Sequence, residues 1–211
     1  MRRLSRALTA LALAGAGVTA MAAPVTAADG GMGDAVPAVR CEAGWGSLAK
    51  VATDSAYKSL RDIRTGQHDC FDRMVFDVKG SGERPIGYRV AYVDRLYQDG
   101  SGEPVPVDGG AILEIRVAAP SYEPTTGLRT YRGRFGEPLR NVDLTGYRTF
   151  RDTRFAGSFE GDTQIGLGVR ARLPFRVFQY GHLVVVDVAH TWEAPPPPPP
   201  PSATAVPRVR R

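Results

Sequence analysis

The chain has 211 residues, 43% of them hydrophobic and 23% charged, enough apolar content for one domain of ordinary size with a buried core. Its formal charge is +5, but Arg2, Arg3 and Arg6 at one end and Arg208, Arg210 and Arg211 at the other carry six positive charges, leaving about −1 between them. A near-neutral domain excludes the basic face of a nucleic-acid binder, so nucleic acid is not expected as a partner.

The first residues form a basic cluster, followed by an uncharged Ala- and Leu-rich run from Ala7 to Ala22. This is the arrangement of an export signal, and Ala20-Met21-Ala22 supplies the small side chains that a signal peptidase accepts. Val25-Thr26-Ala27 is a second cleavage site, and residues 1–27 are assigned to the signal. A membrane anchor needs roughly 20 strongly apolar residues, whereas Gly15, Gly17 and Thr19 interrupt this run. No later stretch is apolar enough to span a bilayer, so the mature chain is expected to be secreted and soluble. Residues 28–40, small and Gly-rich, read as a flexible leader.

Export gives the two cysteines a meaning. In an oxidising compartment Cys41 and Cys70 are expected to form a disulfide. It would close a loop of about 30 residues and contribute on the order of 3–4 kcal/mol. The spacing makes no CxxC motif, and no histidine stands beside either cysteine at metal-ligand spacing.

Residues 41–193 are assigned to one domain, and the pattern in it is that of strands. A short helix is expected near Asp54 to Arg64, where Tyr57, Leu60 and Ile63 share helical spacing. Beyond it, Met74, Phe76 and Val78 alternate with Arg73, Asp77 and Lys79, the period-2 signature of a half-buried strand. Gly82 to Gly87 supply a turn before Tyr88, Val90 and Tyr92. Asp94 to Glu103 hold acidic residues and glycines, as calcium loops do, but lack oxygen ligands at positions one, three and five. A hairpin turn at Gly100 and Gly102 accounts for them. Leu113, Ile115 and Val117 alternate next, then Ile165, Leu167 and Val169 between Gly166 and Gly168. Phe175 to Phe178 and Leu183 to Ala189 read as a closing hairpin across Tyr180-Gly181-His182, the second strand apolar enough to be central. These elements predict an all-β antiparallel sandwich or barrel. Residues 194–211 follow as a disordered tail, and its proline run from Pro195 to Pro201 forms a stiff polyproline II spacer.

No catalytic set emerges. His68, His182 and His190 lie in no HExxH pattern, and no GxSxG elbow occurs. Asp69 and Asp72 are the closest carboxylate pair beside a strand, and turn hydrogen bonds or ion pairs with Arg73 account for them. No metal and no cofactor is expected. The segment Tyr147 to Phe159 reads as a loop in which arginines and aromatics interleave. Tyr147, Arg148, Phe150, Arg151 and Arg154 are its candidate ligand-binding residues, because guanidinium forks grip anions and rings stack on sugars. The competing reading places the rings in the core and pairs the arginines with Asp152, Glu160 and Asp162.

Several stretches together resemble the AMIN-like domain of secreted actinobacterial proteins. They are Cys41 with Gly44-Trp45-Gly46-Ser47, Gly66 to Arg73 running into Val75-Phe76-Asp77, Tyr88-Arg89-Val90, Tyr92-Val93 and Asp99 to Gly102. Gly157 to Gly161, Pro174 to Phe178 and Val184 to His190 complete the set. The resemblance covers Cys41 to His190 and implies a β-sandwich. Through the related AMIN domains of cell-wall amidases, it also implies a non-catalytic targeting role at the envelope with affinity for peptidoglycan. It brings no catalytic residues. The expectation is a secreted binding module for peptidoglycan or another wall polymer. Its rivals are an assembly protein that binds another secreted protein through a sheet edge, and a hydrolase using Asp69, Asp72 or His190.

Overall fold

The computed structural model describes residues 41, 44–53, 58–80 and 84–192. The export signal, the leader and the proline-rich tail lie outside the described residues, as do Asp54 to Tyr57 of the expected helix. In chain order the strands are β1 (Lys50–Ala52), β2 (Leu60–Gln67), β3 (Phe71–Val78), β4 (Tyr88–Val93), β5 (Leu96–Tyr97) and β6 (Pro104–Val105). They continue with β7 (Ala111–Val117), β8 (Phe150–Phe159), β9 (Asp162–Val169), β10 (Phe175–Tyr180) and β11 (Leu183–Ala189). A five-stranded sheet, β1-β4-β7-β9-β8, faces a four-stranded one, β10-β11-β3-β2, and β5-β6 form a small separate hairpin. All pairings are antiparallel.

Period-2 alternation builds the interface between the sheets. Leu113, Ile115 and Val117 of β7 and Ile165, Leu167 and Val169 of β9 meet Met74, Phe76 and Val78 of β3 and Val184, Val186 and Val188 of β11. All are fully buried, each worth roughly 2 kcal/mol in surface withdrawn from water. The expected strands at 74–78, 88–92, 113–117, 165–169, 175–178 and 183–189 are thus β3, β4, β7, β9, β10 and β11, and β11 is central. Two-residue turns close two hairpins: Gly181-His182 between β10 and β11, and Glu160-Gly161 between β8 and β9. Glu160 and Gly161 both take positive φ (48° and 93°), as a hairpin turn matched to strand twist requires.

Two expectations are corrected. The helix placed at 54–64 is absent over its described residues, because Leu60 onward is β2. A register shift between Leu60 and Asp62 inserts one extra residue there. That bulge turns Leu60 and Ile63 to the same buried side, so a spacing of three imitates a helical period. The second correction concerns Tyr147 to Phe159, most of which is the ten-residue strand β8 rather than a loop. Register shifts between Phe150 and Asp152 and between Phe155 and Gly157 interrupt its alternation. Those two bulges removed the period-2 signal.

A third layer covers the five-stranded sheet. Gly166 and Gly168 point away from the core, and residues 94–110 cross over them. A Cβ at 166 would overlap the Leu96 and Val107 side chains, and one at 168 the Asp108 carbonyl oxygen. Leu96, Val105 and Ala156 form a second apolar cluster there. Buried Gln164 pins the hairpin by donating to Glu114 (2.6 Å) and the Tyr97 carbonyl (2.9 Å) and accepting from the Asp99 N–H (2.9 Å).

Candidate functional site

Only some of the groups suited to hydrolysis come together. Asp72 accepts hydrogen bonds from the Thr149 and Phe150 amides at 2.6 and 3.0 Å. His190 Nδ1 lies 2.9 Å from the Thr149 hydroxyl, and its Nε2 lies 2.9 Å from the His68 carbonyl and 3.9 Å from Asp72. A carbonyl only accepts, so Nε2 carries a proton, and the Thr149 hydroxyl has both Nδ1 and the Ala189 carbonyl (3.2 Å) within reach. Hydroxyl, imidazole and carboxylate thus lie close together, but the Nε2 proton goes to the His68 carbonyl rather than to Asp72, so they do not form the hydrogen-bonded chain of a nucleophile relay. All three side chains are also buried, Thr149 and Asp72 completely, so a substrate has no access to the hydroxyl. The cluster is a strut that fastens the chain before β8 to the end of the sandwich. Asp69 is exposed on the β2–β3 turn, and His182 lies at the opposite end, 3.7 Å from Asp77.

The five candidate ligand residues divide. Tyr147, Arg148, Phe150 and Arg151 sit together, and Arg154 lies farther along β8. The Tyr147 ring stacks on Phe150 at 5.7 Å, and its hydroxyl donates to Thr65 at 2.8 Å. Phe150 belongs to the core. Arg148 donates to the Asp69 carbonyl, and Arg151 to the carbonyls of Tyr147, Arg148 and Phe150. Arg154 pairs with Asp152 at 2.8 Å and also donates to the Gly136 carbonyl. Arg148 and Arg151 keep an exposed edge.

A larger constellation occupies the outer face of the four-stranded sheet. Alternation turns Phe71, Arg73 and Val75 of β3, Asp187 of β11, and Arg176, Phe178 and Tyr180 of β10 away from the core. The register places Arg176, Asp187 and Arg73 in one row across three strands. Asp187 is fully buried beneath them, taking Arg73 through two nitrogens (2.6 and 2.9 Å) and Arg176 through Nε at 2.8 Å. This hydrogen bond raises the Arg73 pKa above its ordinary value. The two guanidinium groups then lie among rings. Arg176 is 4.3 Å from the Trp45 ring centre, 5.2 Å from Phe178 and 5.3 Å from Phe71, and Arg73 is 5.0 Å from Phe71. Trp45 meets Phe71 edge-on at 5.7 Å, and His68 stacks on Phe71 at 4.5 Å. Trp45 reaches this face because the Cys41–Cys70 disulfide (Cα–Cα 5.2 Å) and a bond from the Phe175 amide to the Gly46 carbonyl (2.9 Å) hold its loop.

A model of the AMIN-like domain matches residues 58–190, from just before β2 to just past β11. The chain belongs to the AMIN-like family. Neither a comparison with curated proteins nor one with solved structures finds a match. Trp45 and Cys41 lie outside the span matched to the AMIN-like domain, so the disulfide carries an aromatic ring from beyond that span onto its sheet. Sequence reasoning missed this face of the AMIN-like domain. Outward positions of β3 and β10 do alternate rings with arginines, but their juxtaposition depends on β11 lying between those strands.

Proposed function

We propose that this AMIN-like domain is a non-catalytic binding module of the cell envelope. It is exported by its N-terminal signal and associates with peptidoglycan or another wall polymer. The observation that carries this reading is the arginine–aromatic face of the four-stranded sheet. Arg176 engages Asp187 through Nε alone, which leaves its outer N–H groups for carboxylates or phosphates of a ligand. Tyr180, 76% exposed at the end of the same row of β10 side chains, offers a ring for sugar stacking. The disulfide fits an oxidising compartment.

Co-sedimentation with purified sacculi at low salt tests the reading. The protein should pellet, and both Arg176→Ala and Tyr180→Ala should pellet less. Tyr180→Ala should melt as the parent does, whereas Arg176→Ala, which loses its pair with buried Asp187, should melt lower and is assayed well below its melting temperature. Protein that stays in the supernatant at low salt refutes envelope-polymer binding. Undiminished pelleting of both variants removes this face from the interaction.

A further inference from the structure

Between β7 and β8 the chain runs for residues 118–149 with only one isolated bridge, Tyr122 to Arg129. Crossovers of this length without strands or helices of their own are uncommon and frequently functional. This one is firmly seated. Tyr131 and Leu139 are buried in the main core, Val142, Leu144 and Tyr147 pack against it, and backbone bonds join Gly136 to Phe155 and Phe155 to Glu137.

Its arginines differ from those of the sheets. On the strands each guanidinium has a partner: Arg61 and Arg64 meet Asp77, Arg73 and Arg176 meet Asp187, Arg89 and Arg116 meet Glu114, Arg154 meets Asp152, and Arg151 meets carbonyls. On the crossover Arg129, Arg132 and Arg134 are exposed, and no side-chain hydrogen bond or ion pair ties them to another described residue. Arg132, Arg134 and Arg140 line one open concavity of about 350 Å³, in which Glu137 is the single carboxylate. Arg134 also lines a second, of about 440 Å³, whose wall includes Tyr122, Phe135 and Phe155, with Gln98 and Ser158 as polar groups and Arg129 at its edge. Both volumes are in the range of small-ligand sites. Gly133 lies flat against the Phe155 ring, where any Cβ would overlap it.

We propose that this crossover is a bipartite site for an acidic glycan. A sugar residue rests in the ring-lined concavity, and its phosphate or carboxylate lies on Arg132, Arg134 and Arg140. The unpaired guanidinium groups supply donors for an anion, and the rings supply an apolar face that a bare polyanion or a lipid headgroup does not use. This site is separate from the sheet face, and it extends the envelope reading by naming a ligand class.

Titration calorimetry of the purified, disulfide-intact chain tests it. The probes are oligogalacturonate (carboxylate), a phosphomannan (phosphate), neutral dextran, inorganic polyphosphate and phosphatidylglycerol vesicles. At least one acidic glycan should bind tenfold or more tightly than dextran, polyphosphate or vesicles, and the better arm names the anion. Arg134→Ala should weaken that binding at least tenfold, and Phe135→Ala should weaken it with little effect on polyphosphate. Arg134→Ala should leave the melting curve unchanged, since Arg134 makes no side-chain bond to another described residue. Phe135→Ala, at a ring 37% exposed, should melt somewhat lower and is assayed well below its melting temperature. The proposal is overturned if neither acidic glycan binds, if polyphosphate or vesicles bind as well, or if Arg134→Ala has no effect. Sacculus pelleting keeps the two readings apart. Its dependence on Arg176 concerns the sheet face alone, and glycan binding that depends on Arg134 concerns the crossover alone.

Discussion

Removing the Cys41–Cys70 disulfide, by the double Cys41→Ser, Cys70→Ser substitution, probes how the N-terminal segment is held. The bridge spans a sequence separation of 29 residues. In the chain-entropy treatment a closed loop of that length lowers the entropy of the unfolded chain by about 12 cal/mol/K, or about 3.6 kcal/mol at 25 °C. For a domain of this size, each kcal/mol moves the melting temperature by about 2–4 °C, so the variant should melt about 7–14 °C lower. A local effect accompanies the global one. Without the tether, the loop carrying Trp45 keeps the Gly46–Phe175 backbone bond and the Arg172–Ser47 contact but loses its covalent attachment to the β2–β3 turn. Trp45 should then leave Arg176 more readily, and its fluorescence should change well below the melting transition. Far-UV circular dichroism follows the sheets, and fluorescence in a Trp192→Phe background follows Trp45. A melting temperature within 2 °C of the parent would refute the loop-closure reasoning.

Three further predictions follow from the packing. Asp187→Ala leaves Arg73 and Arg176 facing each other over a buried hole and should cost on the order of 3 kcal/mol in urea unfolding, less than a fully buried pair because both arginines touch solvent; a loss below 0.5 kcal/mol would mean that water replaces the carboxylate without penalty. Gly168→Ala drives a methyl into the Asp108 carbonyl and should destabilise by about 2 kcal/mol or more, a loss that a freely moving 94–110 segment would not show. The Asp162 pKa is raised, first by burial, then lowered by Arg116 and raised by Asp99. Its ionisation therefore opposes folding above the folded-state pKa, and the penalty vanishes as pH falls below the ordinary carboxylate value. Asp162→Asn should accordingly raise the melting temperature slightly at pH 7 and leave it unchanged near pH 3, and a destabilised variant at pH 7 would contradict that sign.

What the sequence made legible was the set of regular strands. Ile165, Leu167 and Val169, or Val184, Val186 and Val188, announce a buried face because a strand repeats every two residues and nothing interrupts them. β2 and β8 were misread at bulges, where one extra residue shifts the phase and Leu60–Ile63 or Phe150–Thr153 come to share a side. Gly166 and Gly168 were visible as outward positions, but the segment that presses on them is some 60 residues earlier in the chain, and no local pattern records that contact. The sites follow the same division. Tyr147 to Arg154 attracted notice because they are adjacent in sequence, and the structure shows several of those side chains bonded to nearby backbone. Trp45, Phe71, Arg176 and Asp187 are far apart in sequence, and they meet only through strand order and a disulfide.

The disulfide also decides where tension enters the domain. Cys41 is joined to Cys70 beside the start of β3, and the chain departs at the end of β11, where His190 donates its amide to the Cys70 carbonyl and Ala189 pairs with Phe71. A pull between the two flanking segments therefore acts at one corner of the four-stranded sheet, across β3 and β11 rather than along them. Hydrogen bonds loaded in that direction break singly, as in a zipper, and at low force. The bridge meanwhile withholds the chain from Cys41 to Cys70 from any extension. Such a geometry suits a domain that branches from its connecting segments more than one strung in series under load.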